Sequence, residues 1–354
     1  MAVSVLDLDR LNELVADGWV SVKKHPVYDL FVYNYTPKTQ YAGFWNPVTT
    51  QARGLILNST GECVARPFPK FFNLEELREV PTGDYTVYNK LDGSLGILYR
   101  HADGMSIATR GSFVSEMAEK ASEILNTRYA EKLKYLDVEI TYLFEIIYPE
   151  NQVVVDYSGL EDIILIGMVN TKTGEEYDIK KQTIFSTPEV FSSELSLKDL
   201  KQLNTPNKEG FVIKWSDNQR CKIKFEDYLF LHKIKTRFTI HDVWEARYLN
   251  IPEMVFVADL PDELYDWVRD CLKILDGKYQ EILSTCKENF WVLEDRKTTA
   301  KYFLSCPYSS ILFLMLDGKD YTKQIWRLVE PKNTPASLED LNYSTYRFFN
   351  SSKK

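Results

Sequence analysis

The stretch Tyr85–Arg100, YTVYNKLDGSLGILYR, decides how the rest of the chain is read. Both its ends alternate apolar and polar side chains as strands do, and the Asp-Gly pair between them is a turn signal. Lys90 therefore closes one strand, and Asp92, Gly93 and Ser94 turn into the next. Taken alone, the stretch is equally consistent with an exposed hairpin. Its interest lies in the amine, because a lysine becomes a nucleophile once burial or a neighbouring cation favours its neutral form. The Asp92 carboxylate stands two residues away, and a tight turn lets the backbone and Ser94 come close to a ligand.

Similar short β-rich runs lie on either side: GLILNSTGECVARP, MSIATRGSF, YLFEIIYPENQVVVDY, DIILIGMVN and GFVIKWSDNQRCKIKF. With the helical pattern of SEMAEKASEILNTRY among them, they describe an α+β domain of antiparallel sheets with flanking helices, spanning residues 1–237. DLDRLNELVADG near the start has helical spacing and a glycine stop. Past residue 238, DELYDWVRDCLKILDGKYQEILSTCKENFW, SSILFLMLDGK and TKQIWRLVE repeat apolar residues at three and four, so residues 238–354 are expected to form an all-helical domain. The tail NYSTYRFFNSSKK is polar enough to fray.

At 354 residues, 44% apolar and 27% charged, the chain can bury two cores. A net charge of -8 excludes a protein that coats nucleic acid through bulk positive charge, though not one with a local basic cleft. Its five cysteines are scattered, form no CxxC pair and fit a reducing, cytoplasmic setting. The N-terminus has no basic start followed by an apolar run, so no signal peptide is expected, and SSILFLML is too short to span a bilayer.

Several cations stand beside the β turns. Arg53 opens the strand of ARGLIL, Lys70 precedes Phe71 and Phe72, and Arg110 sits before a glycine. Lys222 and Lys224 alternate so as to face one side of a sheet. Arginine forks and lysine point charges both suit phosphate oxygens. Among the carboxylates, Glu145 interrupts the apolar run Tyr142–Ile147 and Glu209 stands at the entry of an apolar strand. A charge in such a strand costs on the order of 1 to 3 kcal/mol or more unless it is paired or bound to metal. Asp92, Glu145 and Glu209 could thus hold a hard cation such as magnesium. A lysine nucleophile, phosphate-binding cations and metal carboxylates together suit attack on a phosphorus centre. Tyr33, Phe72 or Tyr228 could stack on a base.

In order and spacing these segments resemble the covalent nucleotidyltransferases, the superfamily of ATP-dependent ligases and mRNA capping enzymes. KLDGS is similar to the nucleotidyl-lysine motif, TYLFEII to the central carboxylate strand, EGFVIK to the second carboxylate motif and KIK to the last paired-lysine motif. FVYNYT, ARGLIL, PKFFNLEE, NQVVVDY and FLMLDGK further resemble the RNA ligases of the phage type that seal broken tRNA. The resemblance implies that Lys90 attacks the α-phosphorus of ATP to give lysyl-AMP. It places Tyr33, Arg53 and Lys70 near the nucleotide, Phe72 on the adenine and Glu145 near the ribose or metal. Glu209 becomes the second carboxylate of the site, Lys222 and Lys224 phosphate ligands, and Tyr228 a neighbour of the same site. Arg110 departs from the family, which has lysine in this turn; the charge is kept and the reach changes.

The same resemblance implies magnesium, or manganese in its place, and an RNA substrate with 5'-phosphate and 3'-hydroxyl ends, such as nicked tRNA. It further implies an end-healing kinase or phosphatase as functional partner, a monomer, and a C-terminal domain concerned with the choice of RNA, though the acidic DLPDELYDWVRD leaves a packing or protein-contact role equally open. A DNA ligase would carry a β-barrel after KIK and a capping enzyme would use GTP; the helical texture beyond residue 238 opposes both. An RNA-binding module without catalysis would not need Lys90, Glu145 and Glu209 together. On this reading, Glu209→Ala is expected to weaken metal-dependent steps more than folding.

Overall fold

A computed structural model describes residues 8–191, 195–229, 239–256 and 264–331; the tail NYSTYRFFNSSKK lies outside them. The chain divides into two compact units, Met1–Arg237 and Phe238–Lys354.

Three sheets build the first unit. One runs β1 (Val20–Lys24), β2 (Leu30–Tyr35), β3 (Arg53–Asn58), β4 (Cys63–Ala65). A second has the order β11 (Glu176–Tyr177), β10 (Asp162–Asn170), β9 (Ile140–Ile147), β7 (Ser94–His101), β8 (Gly104–Thr109). The third has the order β12 (Val190–Phe191), β6 (Tyr85–Lys90), β13 (Gly210–Trp215), β14 (Arg220–Lys224), β5 (Phe72–Asn73). Neighbouring strands are antiparallel except β14 and β5, which run parallel with Cys221 opposite Phe72 and Lys222 opposite Asn73.

The Asp-Gly turn is not a hairpin. β6 belongs to the third sheet and β7 to the second, so Leu91–Gly93 carries the chain from one sheet to the other. Packing makes the choice. Val87 of β6 is buried with Phe211, Ile213 and Trp215, whereas Ile97 of β7 is buried with Val32, Ile56 and Leu143, between the first and second sheets. Gly93 makes the crossing possible, because a Cβ there would stand 2.4 Å from the Ile146 carbonyl oxygen of β9.

On its other face the second sheet is covered by the helix Glu116–Arg128, whose Ala121, Ile124 and Leu125 pack with Phe144, Ile146 and Leu165. The Ser115 hydroxyl accepts a hydrogen bond from the Ala118 N–H and so caps the helix start. Burial of Ile124 and Leu125, at about 1.5 to 3 kcal/mol each, holds this helix more firmly than its cap does.

The second unit contains the helices Ile240–Tyr248, Glu253–Phe256, Leu264–Glu288, Arg296–Ser305, Ser309–Leu316 and Thr322–Val329, and no strand among the described residues. On the long helix the buried Val268, Cys271, Leu272 and Leu275 recur at three and four and form one stripe. The Trp244 indole N–H donates to the Trp326 carbonyl at 2.7 Å and ties the first of these helices to the last. No described helix is long and apolar enough to cross a membrane.

Candidate active site

Strand register brings the first group of site residues together. On β13, Gly210 lies opposite Lys90 of β6 on one side and opposite Lys224 of β14 on the other. Glu209 precedes it and is therefore delivered between two lysines from neighbouring strands. Lys90 Nζ donates to Glu209 Oε2 at 2.8 Å, and Lys224 Nζ lies 2.7 Å from Glu209 Oε1. Gly210 is required for this entry. Its φ is +147°, and a Cβ would stand 2.0 Å from the Ile223 carbonyl oxygen.

Glu209 is 2% exposed, so its charge depends on its partners. Burial pushes its carboxyl pKa up, but the ammonium groups of Lys224 and Lys90 outweigh that and hold it below the ordinary carboxylate range. Removing one member of such a buried cluster strands the others, at about 3 to 5 kcal/mol. Glu209→Ala is therefore expected to cost stability as well as metal-dependent steps, because Glu209 is the counter-charge of two lysines as well as a candidate ligand.

Glu145 is the one partly exposed residue of β9, with seven buried neighbours along the strand. Its Oε1 accepts the Gly93 N–H at 3.0 Å, which binds the turn to the second sheet. Burial, together with the Glu209 carboxylate, pushes the Glu145 carboxyl up to about 7 against the pull of Lys90, Arg53 and the Gly93 N–H. Two neighbouring carboxylates thus have opposite protonation preferences. Glu209 is locked as an anion; Glu145 is balanced near neutrality.

Asp92, expected among the metal ligands, has a different task. It is 4% exposed, and its carboxylate accepts three protein donors: Tyr228 O–H at 2.8 Å on Oδ1, Val154 N–H at 2.7 Å and Val155 N–H at 2.8 Å on Oδ2. With that many bonds already made inside the protein, Asp92 orders the turn. Tyr228 is corrected with it. The ring is 4% exposed and its hydroxyl is committed to Asp92, so it does not stack on a base. Lys224 Nζ lies 5.1 Å from the same ring.

A second group surrounds Lys70. Its Nζ lies 4.9 Å from the Trp45 ring, 5.2 Å from Tyr35 and 5.4 Å from Phe72. Arg110 Nη1 donates to the Tyr35 hydroxyl at 2.9 Å. Trp45 meets both Tyr35 and Phe72 edge-on. Arg53, at the mouth of β3, lies 5.9 Å from the Phe71 ring. Lys222 is two residues before Lys224 on β14 and shares its face. Lys70 and Phe72 also line a cavity of ≈ 450 Å³ with Arg66, Phe68, Glu176 and Arg220; Lys90, Glu145 and Glu209 are not among its walls.

Tyr33 is not part of this group. It is 7% exposed in the core formed by Leu11, Leu14 and Leu55, where burial raises its pKa. Tyr35 and Trp45 take the place expected of it. The pairing of β2 with β3 skips Gly54, whose φ is +92°, so the bulge opposite Tyr33 and Asn34 lies in β3; the two tyrosines differ in what packs against them, Tyr33 in that core and Tyr35 against Lys70, Trp45 and Arg110. The repeated aromatics of FVYNYT and GFWN are the only trace of this in the sequence.

Among the described residues no group of three His, Cys, Asp or Glu side chains forms a metal cage. Magnesium does not need one, since it keeps several waters and binds through one or two carboxylates plus substrate phosphates. Glu145 fits that role, with Glu209 beside it.

Residues 51–238, more than half of the chain, match the family model described as RNA ligase. A protein of Autographa californica nuclear polyhedrosis virus carrying the name of a bifunctional polynucleotide kinase/RNA ligase is 29% identical over 249 residues; the match covers 62% of this chain and 35% of that protein. One of Thermovibrio ammonificans carrying the name of an RNA ligase is 29% identical over 282 residues, covering 69% of this chain and 70% of the relative. Among solved structures, an archaeal ATP-dependent RNA ligase superposes with a TM-score of 0.46 at 14% identity over 88% of this chain and 96% of its own, too loosely to argue from. The matched segment begins two residues before Arg53 and contains the Lys90 turn, Glu145, Glu209 and both β14 lysines, so the chain belongs to the RNA ligase family.

Proposed function

We propose that this protein joins RNA ends at the expense of ATP, through a covalent AMP on Lys90. The observation that carries the reading is the line of Lys90, Glu209 and Lys224 across three neighbouring strands, inside the segment the family model matches. Lys90 Nζ attacks the α-phosphorus of ATP. A nitrogen–phosphorus bond forms, the bond from that phosphorus to the bridging oxygen breaks, and pyrophosphate leaves. Attack needs the neutral amine, so the ammonium held by Glu209 Oε2 gives up one proton to solvent before attack and a second as the phosphoramidate N–H forms. A divalent cation such as magnesium, held through Glu145 and Glu209, supplies positive charge against the polyphosphate.

Lys222 and Lys224 receive phosphate oxygens from one face of β14, and Lys70 and Arg110 extend the cationic wall. Phe72, partly exposed and set edge-on against Trp45, is the ring left to meet a base. AMP then passes to an RNA 5'-phosphate, and a 3'-hydroxyl displaces it to complete the bond. Those ends require a kinase or phosphatase that prepares them, and the viral relative's name joins polynucleotide kinase to RNA ligase. We assign adenylylation to residues 1–237 and the choice of RNA, nicked tRNA included, to residues 238–354. The five cysteines, none of them in a disulfide, support a reducing, cytoplasmic setting.

Intact mass after incubation with ATP or GTP and magnesium tests the reading. The expected result is a gain of one AMP from ATP alone, absent in Lys90→Ala. A GMP adduct would favour a capping-type enzyme. No adduct from protein isolated without one would overturn the proposal.

A further inference from the structure

The segment Asn151–Tyr157, NQVVVDY, grips both approaches to the nucleophile although none of its residues has a chemical role in the proposed reaction. At its start, Asn151 Nδ2 donates to Ser94 Oγ at 3.2 Å and to the Ile146 carbonyl at 3.1 Å. In its middle, the Val154 and Val155 N–H groups hold Asp92 Oδ2. Asp156 and Asn207 exchange bonds: Asp156 N–H donates to Asn207 Oδ1 at 2.7 Å, and Asn207 Nδ2 donates to the Asp156 carbonyl at 2.8 Å. At its end, the Tyr157 hydroxyl oxygen accepts the Asp92 N–H at 2.7 Å.

Asp92 is two residues after Lys90, and Asn207 is two residues before Glu209. The segment therefore fixes the backbone just beyond the nucleophile and just before its counter-charge. Tyrosine is unusual as acceptor here, since a buried phenol more often serves as donor. Burial raises the Tyr157 pKa, against the Asp92 N–H and with the Asp92, Glu145 and Glu209 carboxylates. The phenol thus stays neutral, and its oxygen is a permanent partner for the turn.

We propose that Tyr157 is a positioning residue for Lys90, acting through the Asp92 backbone, and that Asn207 supports it from the Glu209 side. The inference rests on the ligase reading given above. Lys90 is the nucleophile in lysyl-AMP formation and the leaving group in AMP transfer, but it neither attacks nor leaves when pre-adenylylated RNA is sealed. A positioning role and a general structural role therefore separate by step.

The test compares Tyr157→Phe, which keeps the ring and removes the acceptor, with wild type. Asn207→Gly is the second variant; Asn207 has φ +55°, which glycine adopts freely, so only the amide is lost. For Tyr157→Phe, lysyl-AMP formation at saturating ATP should slow about tenfold, with the KM for ATP and the sealing of pre-adenylylated RNA each within about twofold of wild type. Asn207→Gly should shift the same step in the same direction. Unchanged lysyl-AMP formation in both variants, or an equal fall in formation and sealing, overturns the inference. A wild-type control that forms no lysyl-AMP is a different failure, because it removes the ligase reading itself.

Discussion

Replacing Glu145 by glutamine should stabilise the nucleotide-free protein, and only above the acid range. The wild-type carboxyl is pushed up to about 7 from an ordinary 4.5, first by burial and then by the Glu209 carboxylate. A shift of that size corresponds to up to about 3 kcal/mol at 1.36 kcal/mol per pKa unit. The sign follows from proton counting. Between 4.5 and about 7 the folded protein keeps a proton that the unfolded chain has released, so stability falls as pH rises through this window and levels off above it. Glutamine is neutral throughout and can still accept the Gly93 N–H. Denaturation by urea should therefore give variant and wild type equal stability near pH 4.5 and a gap in favour of the variant that widens to at most about 3 kcal/mol by pH 8. Both proteins share every other titrating group, His25 and His101 included, so the difference isolates Glu145. The samples must have unmodified mass, since bound AMP would add its own linkage. A gap that stays constant with pH would refute the reasoning. The same penalty has a use in the proposed reaction, because a divalent cation makes the ionised form favourable again, and metal binding should then release a proton and tighten as pH rises through 7.

Glu209→Ala should lower stability by about 3 to 5 kcal/mol in urea, because Lys90 and Lys224 lose a shared buried partner; a loss under about 1 kcal/mol would show that the two lysines find water. Gly210→Ala should cost at least about 2 kcal/mol, given its φ of +147° and the 2.0 Å approach to the Ile223 carbonyl, and near-wild-type stability would contradict that entry geometry. Tyr33→Phe should leave lysyl-AMP formation unchanged, since its ring is core. Tyr35→Ala should slow it about fivefold through the loss of ring contacts to Lys70 and Arg110; the opposite ranking would return Tyr33 to the site.

The residues proposed for the site stand out in the sequence where each breaks a local rule. Glu145 stands in a strand otherwise buried at every position, and a charge there has few explanations other than chemistry. Glu209 before Gly210 at a strand entry, and Lys222 alternating with Lys224, gave themselves away likewise. What stayed hidden depends on partners distant in the chain. Asp-Gly reads the same in a hairpin as in a crossing between sheets, and only the burial of Val87 in one core and Ile97 in another tells them apart. Asp92 looked like a ligand because its acceptors face donors 62, 63 and 136 residues away. Tyr33 and Tyr35 differ through their distant neighbours, Leu11 and Leu14 for the first and Lys70, Trp45 and Arg110 for the second. The first two differences have a common cause. In the proposed reaction, the turn that presents Lys90 between two sheets is held by long-range bonds to its backbone and to Asp92, so residues that would aim a nucleophile there lie far from it in sequence and carry no motif of their own. The roles proposed for Tyr157 and Asn207 are of this kind, and this is why a comparison of lysyl-AMP formation with sealing, step by step, is better suited to finding such residues than any inspection of the residues around Lys90.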